Sequence, residues 1–590
     1  MRQFFKFLFA SFFGTLLALT IGLLMVFGIF GALASTFGSN DTEVTQITEA
    51  TLLVPELSKP IAERDLSNSL NNFQFTTTFE DNSSIALTDI VATFSNAKND
   101  PNISGVFLDL SVYQGGSASL QAIRKAIVDF KESGKPIYAY ADYYTESTYY
   151  LAALADEIFM NPVGGLGMDG AMMEMMFFRG AFDKLGIEPR VIKHGKFKSA
   201  GEPFSEKHMS DANRVQMKSL LNSIYTQYLA EVAQSRGIDS AKLRSIAAEL
   251  KIRKPQDAVD LGLIDGLMYR DEIRNHVAKF MGADDYDDVN TIGVKKYSTT
   301  IKSAYQKEKV AVVYAVGGIG MGQGDDQNIG ADRISAAIRK ARLDDKVKAV
   351  VLRVNSPGGS ALASDIILRE MALCKEAGKP VIASMGDVAA SGGYYISCKA
   401  DWILAEPSTL TGSIGVIGII PGTKQFFEDK LGITFDRIKT GPYADLGNPN
   451  RDMSDEEMNI IQNELDRIYV DFITHVAEGR KMDTAYVNEH GQGRVWTGTQ
   501  ALEIGLVDEL GGLDKAIALA AEKAGISEYQ VKEYPKVKDT FEELVKSLGG
   551  NVKTKMIKEE IGAEEYELIQ QVKWVTQFDE PMMLMPYFFK

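Results

Sequence analysis

Cysteine is almost missing from this 590-residue chain, with Cys374 and Cys398 the only two. A disulfide-stapled framework is thereby excluded. Both fall on apolar faces of predicted helices, where buried free thiols are expected. Histidine is sparse as well: His194, His208, His276, His475 and His490 show no metal-ligand spacing, and no Cys/His cluster exists, so no metal site is expected. Lys/Arg-rich runs are also lacking. Together with a net charge of −16, this excludes a nucleic-acid binder.

The length supports two or more domains with sizeable cores. One apolar run stands out, from Phe7 to Ala34, and no charged residue occurs between Phe7 and Asn40. At about 1.5 Å per residue it can cross a ~30 Å hydrocarbon core, so residues 7–34 read as a transmembrane anchor. Arg2 and Lys6 precede it, and Asp41 and Glu43 follow. The positive-inside rule then places residues 1–6 in the cytoplasm and the body outside. A cleaved signal peptide is the alternative, with the same placement of the body. Residues 35–46 read as a linker, within a polar, turn-rich stretch that extends to residue 60.

The body repeats itself at an offset close to 244 residues. Gly105–Leu110 matches Ala349–Val354, Gly115-Gly116-Ser117 matches Gly358-Gly359-Ser360, and Gly134-Lys135-Pro136 matches Gly378-Lys379-Pro380. Tyr149-Tyr150 pairs with Tyr394-Tyr395, Ala155-Asp156 with Ala400-Asp401, Lys184–Ile187 with Lys430–Ile433, and the Gly262…Asp265 segment with Gly505…Asp508. This is a tandem duplication, 47–300 and 308–540. Each half alternates short β-rich runs (Val106–Leu110, Ile137–Tyr140; Val310–Ala315, Ala349–Val354, Val381–Ser384) with helical-period segments (Ser119–Glu132; Ser364–Ala377). The alternation predicts an α/β fold of βαβ units with a mainly parallel sheet. Residues 541–590 form a charged tail of helical period over 541–548 and 552–575. It ends in Pro581–Lys590, read as an extended segment packed on the body, with a membrane-surface contact as the alternative.

Reactive chemistry concentrates at Gly386–Ser397. Ser391 follows the apolar run Pro380–Met385 and precedes Gly392-Gly393 and a helical-period segment. A serine at such a strand-to-helix turn is a nucleophile candidate, with free N–H groups at the helix start able to stabilise an oxyanion; a plain helix N-cap is the alternative. The Asn355–Ser360 loop after another buried strand offers a second donor through Gly358 or Gly359, or else caps a helix. No histidine stands in a telling place near Ser391. The duplication offers a lysine instead: Lys198 aligns with Ala444, and the Ser391 region aligns with Glu146-Ser147-Thr148, where the glycines are missing. Each half keeps one member of a dyad. To act as a base, Lys198 must be neutral, which requires burial or nearby cations such as Lys193 and Lys196; a solvated surface charge is the alternative.

Ala390–Ser397, Ser408–Gly415, Asn355–Ser360 and Lys196–Phe204 together resemble the long, duplicated form of signal peptide peptidase A, the protease IV family, over nearly the whole chain. The resemblance implies a tandem crotonase/Clp-protease-like fold, Ser391 as nucleophile and Lys198 as general base. It adds Ser413 as a residue orienting the lysine, a strand-end turn residue being the alternative. Gly392 and Gly359 become the oxyanion donors, with Gly358 also available. The same resemblance implies no cofactor, a dome-shaped homotetramer, and a place in the bacterial inner membrane facing the periplasm. Substrates would be signal peptides and unfolded chains. The Met172–Phe178 run, rich in methionine, would line an apolar substrate cavity, with core packing as its rival. Two other functions remain on the same fold: a crotonase-type acyl-CoA enzyme, which the extracytoplasmic placement disfavours, and a catalytically silent membrane scaffold. Because the dyad is split, neither half alone is expected to hydrolyse peptides, whereas co-expressed halves regain activity if their interface is large enough. Peptidase activity from an isolated 308–590 fragment would contradict the assignment.

Overall fold

The computed structural model describes residues 47–65, 84–301, 305–537 and 582–584, with six further positions between Gly14 and Gly22. Apart from those six, which are helical, the expected anchor lies outside the described residues, as do the tail segments 541–548 and 552–575. Among the described residues, no helix is long and apolar enough to cross a membrane.

Each half builds one sheet. In the first, the strands run Gly266–Leu267, Glu157–Leu166, Ile137–Tyr144, Ile103–Asp109, Thr51–Leu53, Thr291–Ile292, with every neighbouring pair parallel. The second contains the same parallel order in Glu509–Leu510, Trp402–Ala405, Val381–Ala390, Val347–Ser356, Lys309–Val316 and Gln530–Tyr534, and adds Leu410–Gly412, parallel to the end of Val381–Ala390, and Val495–Thr497, antiparallel to Leu410–Gly412. Parallel strands are covered on both faces and so read as continuous apolar runs. Lys309–Val316 shows why: Val310 and Val312 pack with Ala516 and Ala520 of the helix Leu513–Lys523, while Ala311 and Val313 face the larger core on the opposite side. Cys374 and Cys398 are free and buried in that larger core.

The repeated motifs are scaffold pieces. Lys135 Nζ donates to the carbonyls of Ala97 and Asp100 at 2.7 and 2.6 Å, and Lys379 Nζ does the same to Ala341 and Asp344 at 3.0 and 2.8 Å. Asp156 and Asp401 accept from the first N–H of the strand beside them, Ile137 and Val381, at 2.9 and 2.8 Å. Tyr149 and Tyr394 donate to the carbonyls of Leu263 and Leu506. In each case a side-chain polar group pairs with a backbone group at a strand or helix end that would otherwise lack a partner.

Within the polar stretch that extends to residue 60, Thr51–Leu53 is a buried strand between Ile103–Asp109 and Thr291–Ile292. Leu52 and Leu53 are fully buried, and three residues suffice for a strand flanked by parallel neighbours on both sides.

A third, mixed sheet joins the halves. Arg190–His194 of the first half runs antiparallel to Val416–Ile420 of the second, with His194 opposite Val416 and Lys193 opposite Ile417. The same sheet carries Gly358–Ser360 and, between that strand and Val416–Ile420, the tail residues Met582–Leu584. From Thr48 onward the two halves make one compact unit.

Candidate active site

The strand Val381–Ala390 ends where the helix Gly392–Ser397 begins, and Ser391 occupies the turn with φ 56° and ψ −115°. For a residue with a side chain this is strained backbone, held here by its surroundings. Its N–H donates to the Gly412 carbonyl at 2.8 Å and its own carbonyl accepts from Tyr395 N–H at 2.8 Å. Both bonds are backbone bonds, so the hydroxyl is left free to face other groups.

Lys198 reaches that hydroxyl from the other half. It follows the cross-half strand Arg190–His194, and three contacts fix its loop: Phe197 N–H donates to the Gln492 carbonyl at 2.8 Å, and Gln216 Nε2 donates to the Phe197 carbonyl at 3.2 Å and to Ser199 Oγ at 3.0 Å. Gln216 Oε1 in turn accepts from Val495 N–H at 3.1 Å. Gly493 lies against the lysine with φ 75°, and a Cβ there would stand 2.6 Å from Lys198 Cβ, so only glycine allows this approach. Lys198 Nζ then lies 2.7 Å from Ser391 Oγ and 3.1 Å from both the carbonyl and the Oγ of Ser413.

Lys198, Ser391 and Ser413 are each fully buried. Among the described residues no carboxylate pairs with the amine, and burial holds its pKa well below the ordinary 10.5. Lys193 and Lys196, expected as helper cations, do not play that part: Lys193 sits 3.9 Å from Glu202, and Lys196 lies over the Phe197 ring. A neutral amine has two N–H donors and one lone pair. Nζ is within donating distance of all three neighbours; in the neutral form the Ser413 carbonyl and Oγ take its two N–H groups, and its lone pair is left for the Ser391 hydroxyl to donate to.

Of the three glycines, Gly392 and Gly359 come together, since a Cβ on Gly392 would stand 3.0 Å from the Gly359 nitrogen. Gly358 is differently engaged, its N–H donating to Ser356 Oγ at 3.2 Å. The methionine run divides between its two readings. Met173 and Met175 pack into a cluster with Ala390, Leu410, Met217 and Leu220, beside the nucleophile, whereas Met172 and Met176 are exposed. Sequence reasoning missed Gln216 and the Gly491–Arg494 segment that fixes lysine and Ser413 alike; the pair of glycines flanking Gln492 was the available signal. It also missed Asp387.

The profile of peptidase family S49 matches residues 129–284 and 374–527, once in each half. Protease 4 of Salmonella typhi is 36% identical over 491 residues, covering 81% of this chain and 78% of its own. Protease 4 of Haemophilus influenzae is 36% identical over 456 residues, with 74% and 73% covered. The chloroplastic serine protease SPPA of Arabidopsis thaliana is 36% identical, with 75% and 67% covered. By these relationships the molecule is a serine peptidase. The chain belongs to peptidase family S49.

The depressed lysine pKa sets a pH dependence of stability. Between the folded pKa and about 10.5 the unfolded chain binds a proton that the folded chain does not, so stability rises with pH across that window. Lys198→Met has no such dependence. Its stability relative to wild type is therefore expected to be most favourable below the folded pKa and to shrink as the pH approaches about 10.5. Denaturant midpoints of both proteins from about pH 6 to 10 check this, and a difference that does not vary with pH would mean a charged, solvated lysine.

Proposed function

We propose that this chain is a membrane-anchored serine endopeptidase that cleaves extended apolar peptides, signal peptides among them, through a Ser391/Lys198 dyad and an acyl-enzyme intermediate. The observation that carries the reading is the 2.7 Å approach of a buried amine, with no carboxylate partner among the described residues, to the hydroxyl of Ser391. Ser391 Oγ attacks the substrate carbonyl as its proton passes to Lys198 Nζ, and the resulting ammonium gives a proton to the leaving amine. Ser413, accepting through its carbonyl and Oγ, steadies the amine and then the ammonium. The N–H groups of Gly392 and Gly359 face the tetrahedral oxyanion. In the second stage, water loses a proton to the neutral amine as it attacks the acyl-enzyme carbonyl, and the ammonium returns that proton to Ser391 Oγ as the ester C–O bond breaks, regenerating the free hydroxyl and the neutral amine.

Two features support an extended, apolar substrate. Met582–Leu584 lies antiparallel to Gly358–Ser360, with Met583 opposite Gly359, in a slot that also borders Val416–Ile420. A peptide that takes the place of Met582–Leu584 as a strand has its backbone aligned along the donor loop, as in recognition by strand addition. Met173 and Met175 beside Ala390 supply an adaptable apolar wall. The apolar residues 7–34, with Arg2 and Lys6 before them, support an anchor with the catalytic body outside, as at a bacterial inner membrane facing the periplasm. We extend the reading to a homotetramer enclosing its sites, which would exclude folded proteins.

Labelling with a fluorophosphonate tests the dyad. Wild type is expected to label once per chain and Ser391→Ala not at all, with peptidase activity of the alanine variant down by about 10³-fold or more. Full labelling of Ser391→Ala would place the nucleophile elsewhere.

A further inference from the structure

The nucleophile strand is irregular just before it delivers Ser391. Val354 pairs with Met385 and Ser356 with Ala389, so three residues, Gly386 to Val388, stand opposite Asn355 alone. A bulge of this kind frees backbone groups from the ladder, and its shape is then set by whatever side chains take them up. Asn355 Oδ1 accepts from Val388 N–H at 3.1 Å, and Thr409 Oγ1 donates to the Gly386 carbonyl at 2.8 Å. The residue between them, Asp387, turns to the other half.

Its carboxylate accepts from the N–H of Ser119 at 2.8 Å and from Ser119 Oγ at 2.7 Å. Ser119 is in the first turn of the helix Ser117–Lys131, whose own N-cap position is Gly116, a residue with no capping side chain. Asp387 therefore caps a helix of the first half from the second, where a carboxylate is favoured by the free N–H groups. The fit is close: a Cβ on Gly116 would stand 2.1 Å from Asp387 Cγ. A second tie crosses the halves at the same bulge. Glu63 of the first half accepts from Arg353 Nε and Asn355 Nδ2, each at 2.8 Å.

The repeat explains why the slot exists. Gly115-Gly116-Ser117 is the first-half counterpart of Gly358-Gly359-Ser360. In the second half that turn faces Gly392 at the nucleophile. In the first half there is no nucleophile to serve, and the same bare turn admits Asp387.

We propose that Asp387 is a positioning residue: by capping the first-half helix at Ser119 it locks the bulged nucleophile strand onto the half that carries Lys198, and so fixes Ser391 Oγ against Lys198 Nζ. The proposal rests on the Ser391/Lys198 reading. Ser391 is four residues beyond Asp387 at a strained turn, while Lys198 is held by its own half and by the Gly491–Val495 segment. Loosening the cap changes the distance between base and nucleophile and leaves the peptide slot along Gly358–Ser360 in place.

The test compares Asp387→Ala, Asp387→Asn, Ser119→Ala and the Asp387→Ala/Ser119→Ala double variant for fluorophosphonate labelling rate, kcat and KM. Asp387→Ala is expected to lower kcat and labelling by about tenfold or more, since small misplacements of reacting groups carry penalties of that order, with KM within about twofold. Asn still accepts from Ser119 N–H, and its NH₂ donates to Ser119 Oγ, so Asp387→Asn is expected to recover activity to within about threefold of wild type. The double variant should fall no further than Asp387→Ala, because both changes delete one interaction. Wild-type labelling by folded Asp387→Ala, a KM rise matching the kcat loss, or losses that multiply in the double variant would each overturn the proposal. If Asp387→Ala does not fold, Ser119→Ala decides: labelling reduced at an unchanged thermal midpoint supports the lock, and unchanged labelling overturns it. Lys198→Met is run alongside. Wild-type labelling in that variant refutes the dyad itself, whereas an inert Lys198→Met beside an unaffected Asp387→Ala refutes the positioning role alone.

Discussion

An ammonium group stripped of water with no counter-charge is among the least tolerable things a protein interior can hold, and its relief is to lose the proton. Lys198 is in that position, fully buried and met by two hydroxyls and a carbonyl. A carboxylate in the same place would stabilise the charged form, which has no lone pair to act as a base. The chemistry thus depends on what surrounds the amine as much as on the amine itself. The packing that enforces it comes from both halves: Phe197 and Gln216 on one side, Ser413 and the Gly491–Val495 segment on the other.

That dependence makes the duplication functional. Repeated residues such as Lys135 and Lys379, Asp156 and Asp401, or Tyr149 and Tyr394 close strand and helix ends in each half and preserve one sheet order. Divergent positions divide the site. Lys198 aligns with Ala444, and Ser391 aligns with a segment that lacks the glycines. Lys198 and Ser391 meet across the two halves, which the mixed sheet joins by pairing Arg190–His194 with Val416–Ile420.

The parts legible in the sequence were those with local or periodic signatures. Val347–Ser356 and Val381–Ala390 announced themselves as buried parallel strands, and self-alignment isolated Ser391 and Lys198 because they break the repeat. What stayed hidden was long-range. Thr51–Leu53 is too short to show a period and owes its strand to neighbours at residues 103 and 291. The Gln216 bridge to Val495 and the Asp387 cap on Ser119 join residues more than 260 positions apart, as their separations of 279 and 268 record. No pattern along the chain encodes such pairs. The lysine's environment was misread in one respect for the same reason: Lys193 and Lys196 are neighbours in sequence, yet their side chains go to Glu202 and Phe197.

The central claim is that the amine of Lys198 is neutral in the resting enzyme. Site-resolved NMR titration of protein carrying 13C-labelled lysine, with the Lys198 signal assigned by its loss in Lys198→Met, measures this without reference to turnover. The account predicts a Lys198 resonance that titrates well below 10.5, apart from the bulk of the lysines, because burial penalises its charged form. A Lys198 signal titrating with the exposed lysines near 10.5 would contradict it.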